Sequence, residues 1–382
     1  MAERPGILVG TKKKILRTIF VQAIKADGTR SVSLKDITFP TSFELGRDLM
    51  IVPGEPLVPI LLVSGHSRYN LKIGSPPIWA PQELPITLQA DPTPIDPRTI
   101  LPDCPLEPVL RAIQITSPDL AMRDFDLITD RKNLRALFSF FTSGIRTHRI
   151  DAEIIGDTLL FYLGWAAKGY DSSANSYGMS FEKSFTGPLS YETISHIGRV
   201  ISYNFGGLKT LVTYQVDACM SATASDPVPT FAPMSVSPSG LQIMEHGTMI
   251  SAEHIIEIKT LRGRGGCHPP PTSDRTMAQV WFSHTPIIMA GYHDGHGCFS
   301  SVKKIDVIEN GTHDSWEISN KASLQKVVRV IEMIKAHMVS STCKRQAIIM
   351  RSGKSGQGGV LIFYELKSDV TSLPNDLRRL WA

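Results

Sequence analysis

Charged side chains stand inside or directly beside apolar runs of this sequence that are typical of buried β-strands. Glu257 and Lys259 lie two positions apart in residues 254–260 (HIIEIKT), and Asp217 ends residues 213–217 (TYQVD). Side chains two positions apart on a strand project to the same face. Because a buried charge is costly without a partner, a fold that buries these strands must bring the charges to each other or to a cation.

A third carboxylate, Glu182, ends residues 178–182 (GMSFE). Carboxylate oxygens without a Cys or His cluster at ligand spacing favour Mg²⁺ or Mn²⁺ over zinc. Cations held in this way polarise phosphoryl oxygens and activate a water for in-line attack on phosphorus, while a lysine neutralises the developing charge or positions that water. This is the logic of the PD-(D/E)-x-K nuclease superfamily.

Composition sets wide limits on the class of protein. The chain has 382 residues, 42% of them hydrophobic and 20% charged, which is ordinary for a soluble globular protein with a sizeable core. A net charge of +4 permits a polyanionic partner without demanding one. The five cysteines are odd in number and contain no C-x-x-C pair, so neither a disulfide framework nor a structural zinc site is indicated.

The sequence also bears on localisation. The basic residues 12–14 are followed by an apolar stretch that Arg17 interrupts, so no signal peptide is predicted. No window approaches the roughly 20 apolar residues of a membrane span. We therefore expect an intracellular protein of the nucleus, the cytoplasm or both, without a membrane partner.

Hydrophobic patterning predicts alternating strands, loops and helices. Dense prolines over residues 53–108 predict a packed, loop-rich cover, and residues 221–239 predict a surface loop. A helix is predicted over residues 324–338, whose basic face is either simply solvated or turned to RNA. Strands are predicted over residues 154–163, 208–217, 254–260, 287–292 and 360–366.

Five short segments follow one another in a distinctive order. They are residues 127–131 (LITDR), 176–183 (SYGMSFEK), 215–217 (QVD), 257–260 (EIKT) and 279–292 (QVWFSHTPIIMAGY). Each segment is common by itself, but together they span about residues 124–300 and resemble, in the same order, the motifs of the DXO-like family of RNA 5′-end decapping enzymes and exoribonucleases.

The resemblance implies a set of catalytic residues, namely Glu182, Asp217, Glu257, Lys259 and Gln279. Its metal ligands are the three carboxylates and the backbone carbonyl of Ile258. It also implies that Arg131, Lys259 and Gln279 bind substrate phosphate, a role that suits arginine because its planar fork donates two hydrogen bonds. The alternative for Arg131 is an ordinary ion pair with Asp126 or Asp130.

The third segment departs from the family, which usually has Glu-x-Asp where this chain has Gln215-Val216-Asp217. The Gln215 amide can offer a carbonyl oxygen, but it attracts a dication less strongly than a carboxylate and cannot act as a base. Gln215 is therefore a weak candidate ligand, and a two-metal site would be reduced towards one metal.

Other side chains near these segments are candidates for RNA contacts or for ordinary structural roles. Arg262 and Arg264, in a glycine-rich loop, either approach an RNA backbone or lie in an ordinary surface loop. We expect the nearby histidines and aromatic residues to belong to loops or to the core, the group being His284, His293, His296, Trp281, Tyr292 and Phe299.

The resemblance implies a mixed α/β fold of twisted sheets flanked by helices, with a PD-(D/E)-x-K nuclease-like core and the active site in a cleft between sheets. We expect one elaborated domain over residues 1–382, comprising a proline-rich, loop-rich part (1–110) and a nuclease core (111–382).

The implied function is a metal-dependent hydrolase that removes incomplete or non-canonical caps, a 5′ triphosphate or an NAD cap, together with 5′-to-3′ exoribonuclease activity. A catalytically weakened RNA 5′-end binder that assists a separate 5′-to-3′ exoribonuclease is the second hypothesis, which Gln215 makes plausible. DNA cleavage is a third, because the 2′-hydroxyl contact that separates RNA from DNA is invisible in sequence.

Overall fold

The structure is a computed structural model, and it describes most of the chain. The described residues are 7–46, 49–52, 76–92, 104–142, 147–163, 176–187, 194–220, 234–245, 249–263, 267–351, 359–368 and 373–382. Within them the helices and strands are, in chain order, β1 (Thr11–Phe20), β2 (Lys35–Gly46), β3 (Leu49–Val52), β4 (Ile86–Thr87), α1 (Glu107–Thr116), β5 (Leu127–Asp130), α2 (Arg131–Thr142), β6 (Thr147–Ile155), β7 (Thr158–Leu163), α3 (Gly178–Phe185), β8 (Ile194–Phe205), β9 (Leu208–Gln215), β10 (Ala218–Cys219), β11 (Met234–Val236), β12 (Gln242–Glu245), β13 (Ile255–Arg262), α4 (Asp274–Ser283), β14 (Ile287–His293), β15 (Cys298–Asp306), α5 (Thr312–Ser340), β16 (Arg345–Arg351) and β17 (Val360–Leu366).

The strands form two sheets. The larger has 12 strands in the order β1-β17-β16-β6-β7-β5-β9-β8-β2-β3-β12-β11, and the smaller has 5 in the order β10-β13-β14-β15-β4. Strand β5 runs parallel to both β7 and β9 at the centre of the larger sheet, and β13 runs parallel to β14 in the smaller one. Both sheets also contain antiparallel pairs, so the prediction of a mixed α/β fold is confirmed.

Helices cover both faces of the larger sheet. Along β9, Val212 packs into the cluster that contains residues of α2, α4 and α5, whereas its neighbour Leu211 packs into the cluster that contains residues of α1. This alternation follows from the two-residue period of a strand, which sends successive side chains to opposite faces. The centre of the sheet is therefore buried on both sides, as the nearly continuous buried run of β9 indicates.

Most of the predicted strands are present. Residues 208–217 contain β9, residues 254–260 contain most of β13, residues 287–292 fall within β14, and residues 360–366 are β17. The prediction of one strand over residues 154–163 was wrong, because β6 ends at Ile155 and β7 begins at Thr158. Gly156 makes the turn between them with a positive φ of 57°, which glycine adopts at no steric cost.

The predicted helix over residues 324–338 lies within the longer α5. Its apolar stripe is buried against the larger sheet, but α5 begins at Thr312. Residues 312–323 are mostly polar, so their helical structure leaves little apolar periodicity to detect.

The N-terminal part contributes strands to the larger sheet. Strand β1 pairs with β17, and β2 pairs with β8. Of the predicted proline-rich cover, residues 53–75 and 93–103 lie outside the described residues. In its described part, Trp79 stacks on Phe185 with ring centroids 5.6 Å apart. Of the predicted loop over residues 221–239, residues 221–233 lie outside the description, and β11 follows them. Over the described chain, no helix is long and apolar enough to cross a membrane.

Candidate active site

The residues predicted to form a site come together where the two sheets meet. Asp217 follows β9 of the larger sheet, and Glu257 and Lys259 belong to β13 of the smaller one. The backbone N–H of Ile258 donates a hydrogen bond to Asp217 Oδ2 at 2.9 Å, which ties the two sheets together at this point. Helices supply the other members of the set, which are Arg131 on α2, Glu182 on α3 and Gln279 on α4.

Glu257 is the centre of the site. Its side chain is buried, and Arg131 Nη1 donates to its Oε2 at 3.3 Å. Its Oε1 accepts hydrogen bonds from Lys259 Nζ and from Gln279 Nε2. Burial alone would raise the pKa of Glu257, but the charges of Lys259 and Arg131 outweigh it and lower the pKa to about 2. Glu257 is therefore ionised at neutral pH, with positive charge on both sides.

At Asp217 and Glu182, burial and like charge outweigh the compensation that nearby cations provide. Burial, assisted by the negative charge of Glu257, raises the pKa of Asp217 to about 7. Burial, assisted by the charges of Asp217 and Glu257, raises the pKa of Glu182 to about 8. The site therefore disfavours the ionised forms of Asp217 and Glu182, which an added cation would favour.

The Lys259 ammonium shows where a cation fits. Its Nζ donates both to the Glu257 carboxylate and to the backbone carbonyl of Ile258, the latter at 3.1 Å. These oxygens are two of the predicted metal ligands, so the ammonium stands in for a cation at that position. The carboxylate and carbonyl donors are the ligands that Mg²⁺ and Mn²⁺ prefer. The donor chemistry of the site thus fits a hard divalent cation.

The described carboxylates are not arranged as a complete set of metal ligands. Within the described ranges, no three His, Cys, Asp or Glu side chains converge closely enough to hold a metal ion. Glu257 is turned towards Arg131, Lys259 and Gln279 rather than towards the other two carboxylates. A metal would therefore have to displace the Lys259 ammonium from Glu257 and the Ile258 carbonyl.

Arg131 joins α2 to both sides of the site. Besides Glu257, its guanidinium donates to Ser283 Oγ at 3.0 Å and to the Gln215 carbonyl at 3.4 Å, and it lies over the Tyr214 ring at 5.2 Å from the ring centroid. This contact with the Gln215 backbone holds the end of β9 against the start of α2.

The alternative ion pairs for Arg131 were wrong. Asp126 instead accepts a hydrogen bond from Lys335 Nζ at 2.5 Å. Asp130 accepts one from the Lys132 backbone N–H at 2.6 Å. Arg131 pairs with the central carboxylate of the site, Glu257.

The Gln215 side chain is exposed at the end of β9. Over the part of the chain that the structure describes, its amide forms no hydrogen bond, and only its backbone carbonyl contacts the site, through Arg131. The suggestion that this amide is a weak metal ligand therefore stays a prediction.

Two residues that support the site, Asp91 and Ser283, were missed by sequence reasoning. Asp91 caps the N-terminus of α3, the helix of Glu182, by accepting hydrogen bonds from the backbone N–H groups of Met179 at 3.2 Å and Ser180 at 2.8 Å. Because Asp91 is distant in sequence, no local capping pattern reveals it. Ser283 lies four residues after Gln279 on α4, and only this helical spacing hints that it faces the site.

The nearby aromatic and histidine residues are mainly structural. Trp281, Tyr292 and Phe299 are buried, as expected for core residues. His284 ends α4 in the left-handed conformation, and its ring packs edge-on against His313. On the basic face of α5, Lys335 pairs with Asp126 and Arg329 is exposed. Arg262 is exposed at the end of β13, whereas Arg264 lies outside the described residues.

Comparison with known proteins relates this arrangement to one family profile and one fold. The profile described as "Domain of unknown function (DUF8563)" matches residues 64–381. No curated protein matches the chain in sequence.

Several solved structures share the fold. Candida albicans Rai1 in complex with pU5-Mn²⁺ is 13% identical, with a TM-score of 0.61 over 96% of this chain and 98% of that one. Scheffersomyces stipitis Rai1 in complex with (3′-NADP)⁺ and calcium ion is also 13% identical, with a TM-score of 0.61 over 96% and 99% of the two chains. K. lactis Dxo1 in complex with manganese is 10% identical, with a TM-score of 0.53 over 95% and 98%. The resemblance to the DXO-like family is thus confirmed for the fold.

Proposed function

Since the chain belongs to DUF8563, a family of domains of unknown function, we propose its function from the site: it is a divalent-metal-dependent hydrolase that acts on RNA 5′ ends. One observation carries the proposal. The Lys259 ammonium donates hydrogen bonds to the Glu257 carboxylate and to the Ile258 carbonyl, and the two neighbouring carboxylates, Glu182 and Asp217, have raised pKa values. These are the atoms at which a hard cation would bind. The substrates are incomplete or non-canonical caps, a 5′ triphosphate or an NAD cap, with 5′-to-3′ exonucleolytic trimming as a further activity.

The ligands of the fold neighbours support this choice. The C. albicans and S. stipitis Rai1 structures were solved with pU5-Mn²⁺ and with (3′-NADP)⁺ and calcium ion, respectively. The K. lactis Dxo1 structure contains manganese. A nucleotide and a divalent cation are what the unbalanced charges of this site would accept.

In the proposed mechanism, Glu182, Asp217, Glu257 and the carbonyl of Ile258 would hold Mg²⁺ or Mn²⁺. When bound, the cation supplies Lewis-acid polarisation and lowers the pKa of a water molecule. Lys259, released from Glu257, neutralises negative charge that develops on the phosphoryl group.

Gln279 and Arg131 act on the other participants. The Gln279 amide, which already donates to Glu257, is held where it can orient a water molecule next to that carboxylate. The Arg131 fork donates to phosphate oxygens, while Ser283 and the Gln215 carbonyl keep it in place.

A second candidate function is an RNA 5′-end binder that assists a separate 5′-to-3′ exoribonuclease. Two observations favour it. Glu257 already accepts hydrogen bonds from three side chains, and the described residues provide no ready cluster of three metal ligands. In this case the site would bind phosphate through its cations without turning over the RNA.

The test is to incubate the purified protein with 5′-triphosphorylated, capped and NAD-capped RNAs, and with DNA of the same sequence, in Mg²⁺ or Mn²⁺. Glu257→Ala and Lys259→Ala probe the site, and Glu253→Ala and Lys304→Ala are controls because both positions are exposed. Metal-dependent RNA products that only the site variants lose would support the hydrolase. RNA binding without any product would support the binder, and neither binding nor product would overturn both.

A further inference from the structure

Helices α2 and α4 present two polar stripes to one another beside the site. Arg131 and Arg135 lie four residues apart on α2, and Arg275, Gln279 and Ser283 follow at the same spacing on α4. Residues four apart share one face of a helix. The stripes meet where Arg131 Nη1 donates to Ser283 Oγ at 3.0 Å. The second arginine of α2 and the first residue of the α4 stripe therefore extend the polar wall beyond Glu257.

The Arg135 guanidinium is in direct contact with no carboxylate of the described residues. Its side chain is partly buried, yet within the described ranges its guanidinium forms neither a hydrogen bond nor an ion pair. Burial lowers the pKa of Arg135 to about 10, and the positive charge of Arg131 adds to this effect, whereas the charges of Glu257 and Asp130 oppose it. Two carboxylates act on Arg135 through their charge, and both have other partners. Glu257 is engaged by Arg131, Lys259 and Gln279, and Asp130 accepts a hydrogen bond from the Lys132 backbone N–H. A partly buried guanidinium without a partner is costly, so this position calls for an external anion.

Arg275 lies in the first turn of α4, is exposed, and has no carboxylate or hydrogen-bond partner over the described chain. It is close enough to Arg135 for its charge to lower the pKa of that guanidinium further. A cation in the first turn opposes the helix dipole, so its position does nothing to stabilise α4. An anion bound between the two arginines would offset the repulsion between their positive charges.

We propose that Arg135 and Arg275 form a second phosphate-binding site, which holds the phosphate group adjoining the scissile one. The inference rests on the proposed function, in which Arg131 binds the scissile phosphate. Four residues of α-helix rise about 6 Å, so Arg131 and Arg135 can contact successive phosphates of one substrate. Their planar forks can each donate two hydrogen bonds to phosphate oxygens, which a lysine cannot reproduce.

The adjoining phosphate has two possible sources with the same chemistry. It belongs either to a 5′ triphosphate chain or to the next internucleotide linkage. Binding measurements without metal separate them, because EDTA prevents metal-dependent turnover of the ligand. Three ligands suffice: a nucleoside triphosphate, a 5′-monophosphate RNA and a 5′-triphosphate RNA of the same sequence, with fluorescence anisotropy as the readout.

We expect Arg135→Gln to weaken the binding of triphosphate RNA by about tenfold, as for the loss of a charged hydrogen bond. Arg135→Lys should restore only part of the affinity, and Arg275→Gln should weaken binding in the same direction. The slope of log K against log salt should decrease by about 1 in each glutamine variant. Arg17→Gln, at an exposed arginine on β1, is the control and should bind as the wild type does.

The choice of ligand identifies the source. Weaker binding of both triphosphate ligands, with monophosphate RNA unaffected, supports the triphosphate chain. Weaker binding of both RNAs, with the nucleoside triphosphate unaffected, supports the internucleotide phosphate.

Unchanged binding of all three ligands by Arg135→Gln and Arg275→Gln would overturn the inference. The proposed function would stand if Arg131→Gln, tested in parallel, still weakened binding, whereas wild-type protein that bound none of the ligands would overturn both. Thermal melting shows whether Arg135→Gln folds. If it does not, Arg275→Gln carries the test because that side chain is exposed.

Discussion

Two of the places where the molecule buries charges, β6 and the junction of the two sheets, differ in how well those charges are balanced. At the Arg149–Asp151 pair on β6, Nε donates to Oδ1 at 2.6 Å and Nη2 donates to Oδ2 at 3.0 Å. The remaining guanidinium nitrogen donates to the backbone carbonyls of Ile7 and Val9. One acid and one base thus satisfy each other, as a buried ion pair must to offset its desolvation.

At the junction of the two sheets the same kinds of residue are mismatched. Arg131 and Lys259 both bond to Glu257, whereas burial and the charge of neighbouring carboxylates raise the pKa values of Asp217 and Glu182. Arg135 forms no hydrogen bond or ion pair with the described residues, although the charges of Glu257 and Asp130 act on it. The contrast shows that burial of charge alone does not indicate function. The proposed function rests instead on buried or half-buried groups of both signs that form no ion pair within the described residues, and a substrate phosphate and a cation would supply the missing partners.

The largest effect is expected at the centre of the mismatched site. Glu257→Ala removes the acceptor of Arg131, Lys259 and Gln279 together with a predicted metal ligand. We expect activity to fall by at least about a hundredfold, and the free energy of unfolding to fall by about 3–5 kcal/mol because buried cations lose their partner. Product formation and chemical denaturation measure the two quantities. Wild-type activity in this variant would remove Glu257 from the mechanism.

The balanced pair should respond in stability alone. Asp151→Asn leaves the buried Arg149 without its counter-charge, so we expect the free energy of unfolding to decrease by about 3–5 kcal/mol. Activity per folded molecule should stay at the wild-type level below the melting temperature. A specific loss of turnover, with the fold intact, would mean that the two charge clusters are not functionally separate.

Asp217→Asn should increase stability and abolish activity, the opposite of the effects of Asp151→Asn. The burial that raises the Asp217 pKa is a penalty on the ionised form, so the neutral amide should make the metal-free protein more stable at pH 8, on the order of 1–2 kcal/mol. Activity should nevertheless be lost, because a neutral amide is a poorer ligand than a carboxylate. Glu153→Gln, which removes a carboxylate paired with Arg378 outside the site, is the comparison and should destabilise the protein. If Asp217→Asn also destabilised it, the charge at Asp217 would be stabilising after all.

The pH dependence of stability should separate the carboxylates within the site. Asp217 and Glu182 have raised pKa values, so between about pH 4 and 8 the folded state binds more protons than the unfolded state, and stability decreases as pH rises. Glu257 has a lowered pKa, so its contribution is present above its ordinary pKa and is lost as the pH falls from about 4.5 towards 2. The slope of the unfolding free energy against pH should differ between the wild type and the Asp217→Asn, Glu182→Gln double variant mainly between about pH 4 and 8. Parallel curves over that range would refute the assignment.

The smallest effect is expected for Gln215→Glu. If the lost charge limits metal binding, the variant should need a few-fold less Mn²⁺ for half-maximal activity. The Gln215 side chain is exposed, so its stability should hardly change. An unchanged Mn²⁺ requirement would mean that this position does not govern metal binding.

Local pattern predicted the strands that carry the site because their apolar runs are buried on both faces, as at residues 254–260. It missed the turn at Gly156, which interrupts an otherwise continuous apolar run, and the polar first part of α5. The set of Glu182, Asp217, Glu257 and Lys259 was predicted from motif order. In the structure Lys259 contacts Glu257 and Asp217 contacts the Ile258 backbone, while Glu182 is near enough to Asp217 and Glu257 for their charges to raise its pKa. Contacts between distant residues, such as the Asp91 cap on α3 and the bond from Arg131 to Glu257, depend on tertiary packing that no local pattern encodes.

The central claim is that a divalent cation balances the surplus of carboxylates where the sheets meet. Calorimetric titration of the metal-free protein with Mn²⁺ at about pH 7, in two buffers of different ionisation enthalpy, tests it most directly. We predict binding that releases protons, because the cation lowers the pKa values of Asp217 and Glu182, and we predict that Asp217→Asn binds more weakly and releases fewer protons. Mn²⁺ binding without proton release, or no binding at all, would contradict the account.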